Sequence, residues 1–303
     1  MRIFVAGGTG VVGRRLVPLL VKEGHTVTGI ARTQEKQSAI KHMGASAVDV
    51  DLFAPEELRR ALAGHDTLIN KATHIPPVSR MIFPGAWEEN DRVRRAGSAN
   101  LVDAAFANGV SRFIQESFAP TYPDRGDEWI DESVPLEPGR NTRTVVDAEA
   151  SLHRFADAGH TGIVLRFGAF YGPDSEAIVY LVNSLRKGGV PVPERAEAFI
   201  SSISHDDAAT AVAAALRAKA GTYNIVDDEP LRRREYYDSL AGALGVGPPT
   251  FPPVWTALML GSSGRVLTRS HRMSNRKFRQ ETGWAPGYPS VREGWRAVVD
   301  ALA

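Results

Sequence analysis

Short apolar runs recur along the first half of the chain, at residues 3–6, 27–31, 47–50, 67–72, 112–115 and 163–167. Stretches with helical spacing separate them, at 55–63 and over a longer span, 86–108, where Leu101, Val102, Ala105 and Phe106 fall on one face. A strand that is apolar at every position is buried on both sides, which is the condition of a parallel sheet covered by helices. Asp66-Thr67-Leu68-Ile69-Asn70 has the form of a central strand entered from a turn at Gly64. Right-handed crossovers between such strands predict a doubly wound α/β fold.

The second half has a different texture. Turn signals crowd at Gly172-Pro173, Gly188-Gly189 and Pro248-Pro249. A helix is expected over 206–218, a short strand over 222–226, and two helical segments over 274–302 on either side of Gly283-Trp284-Ala285-Pro286. Residues 118–141 show neither period and predict a long loop, a feature of functional or mobile segments.

The strongest chemical signal is Gly7-Gly8-Thr9-Gly10-Val11-Val12-Gly13, directly after the first strand and before an amphipathic helix. In that context the first glycine allows a tight turn, the second lets a pyrophosphate approach the backbone, and the third packs helix against strand. The helix start offers free N–H groups and a positive dipole end to phosphate. This is the fingerprint of a Rossmann-type dinucleotide site. Arg32 lies 19 residues beyond Gly13, at the end of the second strand. An acid there binds the ribose 2′-hydroxyl of NAD, whereas an arginine accommodates the 2′-phosphate of NADP. NADP is therefore expected, with NAD the alternative, and Arg14 or Lys36 could assist. Asp51, with Leu52 after it, stands where an adenine amino group would lie, and equally could cap the helix at 55–63.

With 303 residues and 43% hydrophobic content the chain can bury a substantial core. Its 36 basic and 35 acidic residues leave a net charge of +1, which argues against a nucleic-acid footprint or a polybasic membrane patch. There is no cysteine, so disulfides and thiolate chemistry are excluded, and the eight histidines show no metal-ligand spacing. The chain opens on a strand with no leader pattern and no long apolar run, so a cytoplasmic protein is expected. The expected partner is a small-molecule substrate; a homodimer is compatible with this reading.

The chain resembles the extended and atypical short-chain dehydrogenase/reductases, the NAD(P)-dependent epimerase/dehydratase-like group. The resemblance runs along nearly the whole length: loop 7–13, Asp51-Leu52, residues 70–73, Gly97-Ser98-Ala99-Asn100-Leu101, residues 165–173, residues 203–209, Gly221-Thr222-Tyr223-Asn224, Leu244-Gly245 and Gly283-Trp284. It implies a nucleotide-binding lobe, residues 1–167 plus about 200–226. It also implies a smaller carboxy-terminal substrate lobe, about 168–199 plus 227–303, with the site between them. The cofactor contacts expected are Gly7, Thr9, Gly10, Val11, Val12, Gly13, Arg32, Asp51, Leu52, Lys71, Ala72, Thr73 and Ser117.

The match fails at the catalysts. The family uses a Tyr with a Lys four residues later, on one helix face, plus a Ser or Thr ending the fifth strand; the Lys lowers the phenol's pKa for proton exchange. None of the seven tyrosines here has a Lys at that spacing. Arg143 and Asp147 stand at the Tyr and Lys positions, and Phe118 at the Ser/Thr position, with Ser117 one residue early. Candidate replacements are Ser117, Tyr122 and Arg143, with Lys71, His74 and Asp147 behind them. Tyr122 is the first to test as proton donor, against a packing role. Arg143 and Asp147 could form only an i,i+4 ion pair. His205 beside Asp206-Asp207 is explained by a helix start. Trp87, Phe118, Trp129, Phe167, Phe170 and Tyr171 point to an aromatic or apolar ligand. The expected function is an NADP(H)-binding oxidoreductase or epimerase/dehydratase-like enzyme acting on a small carbonyl or hydroxyl substrate with non-standard catalysts. A redox-sensing binding protein and a non-redox enzyme for cyclisation or elimination remain the alternatives.

Overall fold

The computed structural model describes residues 1–81, 83–191, 193–260, 266 and 268–303. Its central sheet holds β1 (Arg2–Ala6), β2 (Thr26–Ile30), β3 (Ser46–Val48), β4 (Thr67–Asn70), β5 (Arg112–Phe118), β6 (Thr161–Phe167) and β7 (Gly221–Ile225). Their order is β7-β6-β5-β4-β1-β2-β3, and every neighbouring pair is parallel. The order reverses at β1, whose neighbours are β2 and β4. A crevice opens at such a switch point beyond the strands' carboxyl ends, where ligands of this fold bind.

Alternation along each strand feeds two cores. Val5, Ile69, Ile114 and Leu165 face α1 (Gly13–Lys22), α2 (Gln34–His42) and α8 (His205–Ala215) through Leu16, Leu20, Ile40 and Val212. Phe4, Leu68, Phe113 and Val164 face α3 (Pro55–Ala61), α5 (Ser98–Ala107) and α6 (Arg143–Asp157) through Leu58, Leu101, Leu152 and Phe155. These residues have no exposed surface or almost none, which explains why the strands are apolar at successive positions. A third cluster joins α7 (Glu176–Leu185), α9 (Arg233–Ala243) and α11 (Val291–Leu302) around Ile178, Leu240 and Trp295. The turn signals of this half had hidden α7 and α9. Helix α10 (Arg276–Thr282) ends on Gly283 in the left-handed region, φ 71°, a standard helix stop.

Two expectations change in detail. The helix over 86–108 is not one regular element. A 3-10 turn, Pro84–Trp87, leads into α4 (Glu88–Arg92), then a π turn, Val93–Gly97, and only then α5. The wider π turn turns Val93, Arg94 and Gly97 inward. Loop 118–141 is stitched rather than loose: Trp129–Ile130 pairs in parallel with Arg272–Met273, and Ile130 and Met273 are buried with Tyr122 and Val226. Among the described residues no helix is long and apolar enough to cross a membrane.

Candidate functional site

The glycine loop closes on β4. Gly7 sits at φ +85°, and a Cβ there would lie 2.5 Å from the Lys71 carbonyl carbon. A Cβ on Gly13 would lie 2.2 Å from the Gly7 oxygen. Both positions are therefore fixed by the protein's own backbone. Gly10 is different: it is exposed, and a Cβ would meet only the Gly7 oxygen at 3.4 Å. Its glycine leaves room for something outside the chain. The N–H groups of Val11, Val12 and Gly13 have no acceptor among the described residues, so the loop presents a donor set that fits a pyrophosphate.

At the β2 side, Arg32 is exposed and stands 3.5 Å from the Asp51 carboxylate. Asp51 accepts from the Phe53 N–H at 3.0 Å and does not cap α3, whose cap Ala54 has no side-chain bond. Lys36 has its N–H capped by Thr33, so α2 begins beside Arg32. Arg14 is not available there. It pairs with Asp174, as does Arg15 at 2.7 Å. His205 Nδ1 lies 2.9 Å from the same carboxylate, so its partner is Asp174 and not the adjacent aspartates. Burial alone would raise the Asp174 pKa, but hydrogen bonds from Arg15 and His205 outweigh it and hold the acid at about 2. This cluster ties α1 to α8.

Charged side chains crowd the carboxyl ends of β4 and β5. Lys71 is buried, with Nζ 2.5 Å from Glu116 and 3.9 Å and 5.4 Å from the ring centres of Phe167 and Phe170. Burial lowers its pKa, and Glu116 opposes that shift. Arg94, on the π turn, is only 8% exposed and has no hydrogen bond or ion pair among the described residues. Burial lowers its pKa too, against the attraction of Glu116 and Asp91. Asn70 braces the edge, donating to Ser98 at 3.2 Å and Gln115 at 3.0 Å while accepting from the Ala72 N–H. Thr73 and His74 are exposed, and the His74 N–H donates to Asn90.

The expected catalysts lie elsewhere. Ser117 is buried and donates to Glu149. Glu149 takes two further bonds from Arg166, at 2.9 Å and 2.7 Å. Arg166 also donates to the Tyr122 hydroxyl at 2.7 Å, and that hydroxyl donates to Asn224 at 2.9 Å. Tyr122 has no exposed surface, and burial pushes its pKa up to about 12. The Tyr122 hydroxyl is therefore enclosed within this network. Ser117 has its only proton committed.

Arg143 is exposed on the first turn of α6, while Asp147 pairs with Arg95 at 2.8 Å, so the i,i+4 pair does not form. One lysine does lie over a tyrosine, Lys277 at 4.9 Å from the Tyr223 ring centre, on the edge strand β7. There the Tyr223 hydroxyl donates to Lys219 O and Lys277 donates to Thr222 O. Of the aromatics, Phe118, Phe167 and Phe170 gather at the β5–β6 edge, Phe118 in register with Phe167. Tyr171 packs on Trp295 in the third core, Trp129 stacks under Arg272, and the Trp87 indole donates to Met81 O.

Arg94, Glu116, Glu149 and Arg166 were not singled out in the sequence. Their signal was a charge inside a segment otherwise patterned for burial, which in a parallel sheet requires a partner.

A family model described as NAD(P)H-binding matches residues 7–219. The chain belongs to this NAD(P)H-binding family. It is similar over its whole length to the 3-diazoavenalumate denitrifying reductase of Streptomyces sp, at 32% identity over 306 residues, covering 97% of this chain and 99% of the relative. Among solved structures it superposes on UDP-glucose 4-epimerase of Thermus thermophilus in complex with NAD, at TM-score 0.80, 24% identity and coverage of 100% and 99%. It also superposes on the human epimerase family protein SDR39U1 with NADPH, at TM-score 0.80, 20% identity and full coverage of both. The fold is that of the epimerase/dehydratase-like short-chain dehydrogenase/reductases, with the usual Tyr–Lys pair missing.

Proposed function

We propose that the protein is an NADPH-dependent reductase of a small aromatic substrate whose reduction needs no tyrosine acid. The observation that carries this reading is an intact phosphate cradle at loop 7–13 beside a site in which every usual proton donor is replaced or sealed. Gly7, Gly10 and Gly13 would hold the pyrophosphate with the N–H groups of Val11 and Val12, and Thr9 would line the same turn. Arg32 would grip the 2′-phosphate through paired bonds, in place of its longer contact to Asp51. Asp51 and Leu52 would flank the adenine, and Lys71, Ala72 and Thr73 the nicotinamide end. The lobes are residues 1–167 plus about 200–226, and about 168–199 plus 227–303.

A reduced nicotinamide, when bound, supplies hydride. A carbonyl that accepts hydride also needs a proton. An acceptor that expels a neutral fragment does not: an aryl diazonium takes hydride and releases N2 with charge and electrons balanced. The Streptomyces relative is by name a denitrifying reductase of a diazo compound, which supports that class. Phe118 and Phe170, both part-exposed over the buried Phe167, offer an apolar wall for such a ring. A guanidinium is a poor proton donor, so the part of Arg143 would be orientation of an anionic group rather than proton transfer.

The replaced catalysts also favour a second reading, a non-catalytic sensor of the NADP pool, which expects binding without turnover. Fluorescence titration tests the shared premise. Arg32→Ala should weaken NADPH about tenfold or more and leave NADH unchanged. Equal affinity for the two cofactors, insensitive to Arg32→Ala, would remove the NADP preference.

A further inference from the structure

Arg94 has five N–H donors, none of them bonded among the described residues. It is 8% exposed, on a π turn that packs against α6, with β5's Glu116 as its neighbouring charge. Both carboxylates near it are engaged elsewhere. Glu116 is taken by Lys71 at 2.5 Å, and Asp91 accepts from Thr144 Oγ1 at 2.8 Å. A mostly buried guanidinium with no partner among the described residues carries an unmet charge, and burial works against it. Structural arginines of this chain look different. Arg166 has three side-chain bonds, and Arg233 bonds both Glu194 and the Arg269 carbonyl. Interruptions of this π type occur frequently at functional sites.

We infer that Arg94 is the substrate's carboxylate anchor: a carboxylate bonded side-on by its paired N–H groups, with the attached aromatic body against Phe118 and Phe170. The geometry suits the pairing because a planar guanidinium matches a carboxylate through two parallel bonds. Lys71 is the weaker candidate, since its charge is already met by Glu116. The assignment rests on the reductase reading for the word substrate, and on the orphaned guanidinium alone for the ligand's chemistry. It narrows the ligand class from small aromatics to aromatic carboxylates. It also separates the work of the two edges of the site: Arg32 for the cofactor's phosphate, Arg94 for the substrate's anion.

Calorimetry on the NADP⁺-saturated protein tests it, with cinnamate and methyl cinnamate as probes. Wild type should bind the acid at least tenfold more tightly than the ester. Arg94→Gln should weaken cinnamate on the order of 30-fold, leave the ester and NADP⁺ unchanged, and abolish the preference; Arg94→Lys should restore part of it. Equal binding of acid and ester by wild type, no binding of cinnamate, or an unchanged cinnamate affinity in Arg94→Gln overturns the assignment. Loss of NADP⁺ binding in that variant also overturns it, by giving Arg94 to the cofactor. The acid–ester comparison in wild type stands even where Arg94→Gln fails to fold. Arg94-dependent binding without any NADPH oxidation would end the reductase reading and leave the carboxylate site in place.

Discussion

The two edges of the crevice are built by different means. On the β1–β2 side the backbone does the work. Gly7 and Gly13 are required because a single Cβ would strike the chain's own atoms, and the loop's N–H groups converge without help from side chains. On the β5–β6 side the work falls to side chains brought from far apart. Ser117, Tyr122, Glu149, Arg166 and Asn224 come from five elements or loops and form one buried network. The first kind of site tolerates almost no change and stays recognisable. The second can be rebuilt residue by residue while the sheet beneath it is kept, so the fold can persist through a change of site residues.

The largest effect is expected from the buried network. Arg166→Met leaves Glu149 buried and unpaired, which should destabilise the protein by about 3–5 kcal/mol. Urea denaturation of variant and wild type measures it. A loss under about 1 kcal/mol would mean that the network is hydrated and open rather than a sealed structural unit.

A pH effect follows from the same region. His271 is buried and its ring bonds Tyr122 O at 2.9 Å. Burial lowers its pKa from 6.5 to about 4. The unfolded chain therefore binds the proton first, so the stabilisation is complete above pH 6.5 and is lost as the pH falls towards 4. The expected loss over that window is about 3 kcal/mol from this group. His271→Gln should flatten that part of the stability curve. An unchanged acid limb in the variant would assign the loss to other groups.

The smallest effect expected is that of Tyr122→Phe. It deletes one hydroxyl from the network and should lower stability by about 1–3 kcal/mol, because Asn224 and Arg166 each lose a partner. Turnover should be unchanged. A fall in kcat at constant KM would instead make Tyr122 the proton donor that the sequence first suggested.

The unequal legibility of the two edges has the same origin. Local sterics dictate Gly7 and Gly13, and Gly10 between them leaves space for a ligand, so three glycines within one short loop announce a phosphate site on their own. The doubly wound sheet was equally readable, since the strands at 3–6, 67–70 and 163–167 are apolar on both faces. The reacting edge was not. Nothing local to Glu149 says that it meets Arg166, and nothing local to Tyr122 says that it is sealed by Asn224, 102 positions away. The π turn was invisible for a related reason: one extra residue per turn shifts the face that Arg94 presents, while the composition of 86–108 still fits a regular helix. One absence at this edge was legible all the same: no tyrosine is followed by a lysine at the fourth position.

The proposed reductase activity requires that the cofactor edge still feed a reduction while the usual acid is gone. Deuterium transfer from C4-labelled NADPH tests it most directly, with 3-diazoavenalumate as the first acceptor and an aromatic keto acid as the second. Oxidation of NADPH with label in the reduced diazo-derived product is expected, in wild type and in Tyr122→Phe alike. NADPH that binds tightly yet delivers no label to either acceptor would contradict it and leave the protein a sensor of its cofactor.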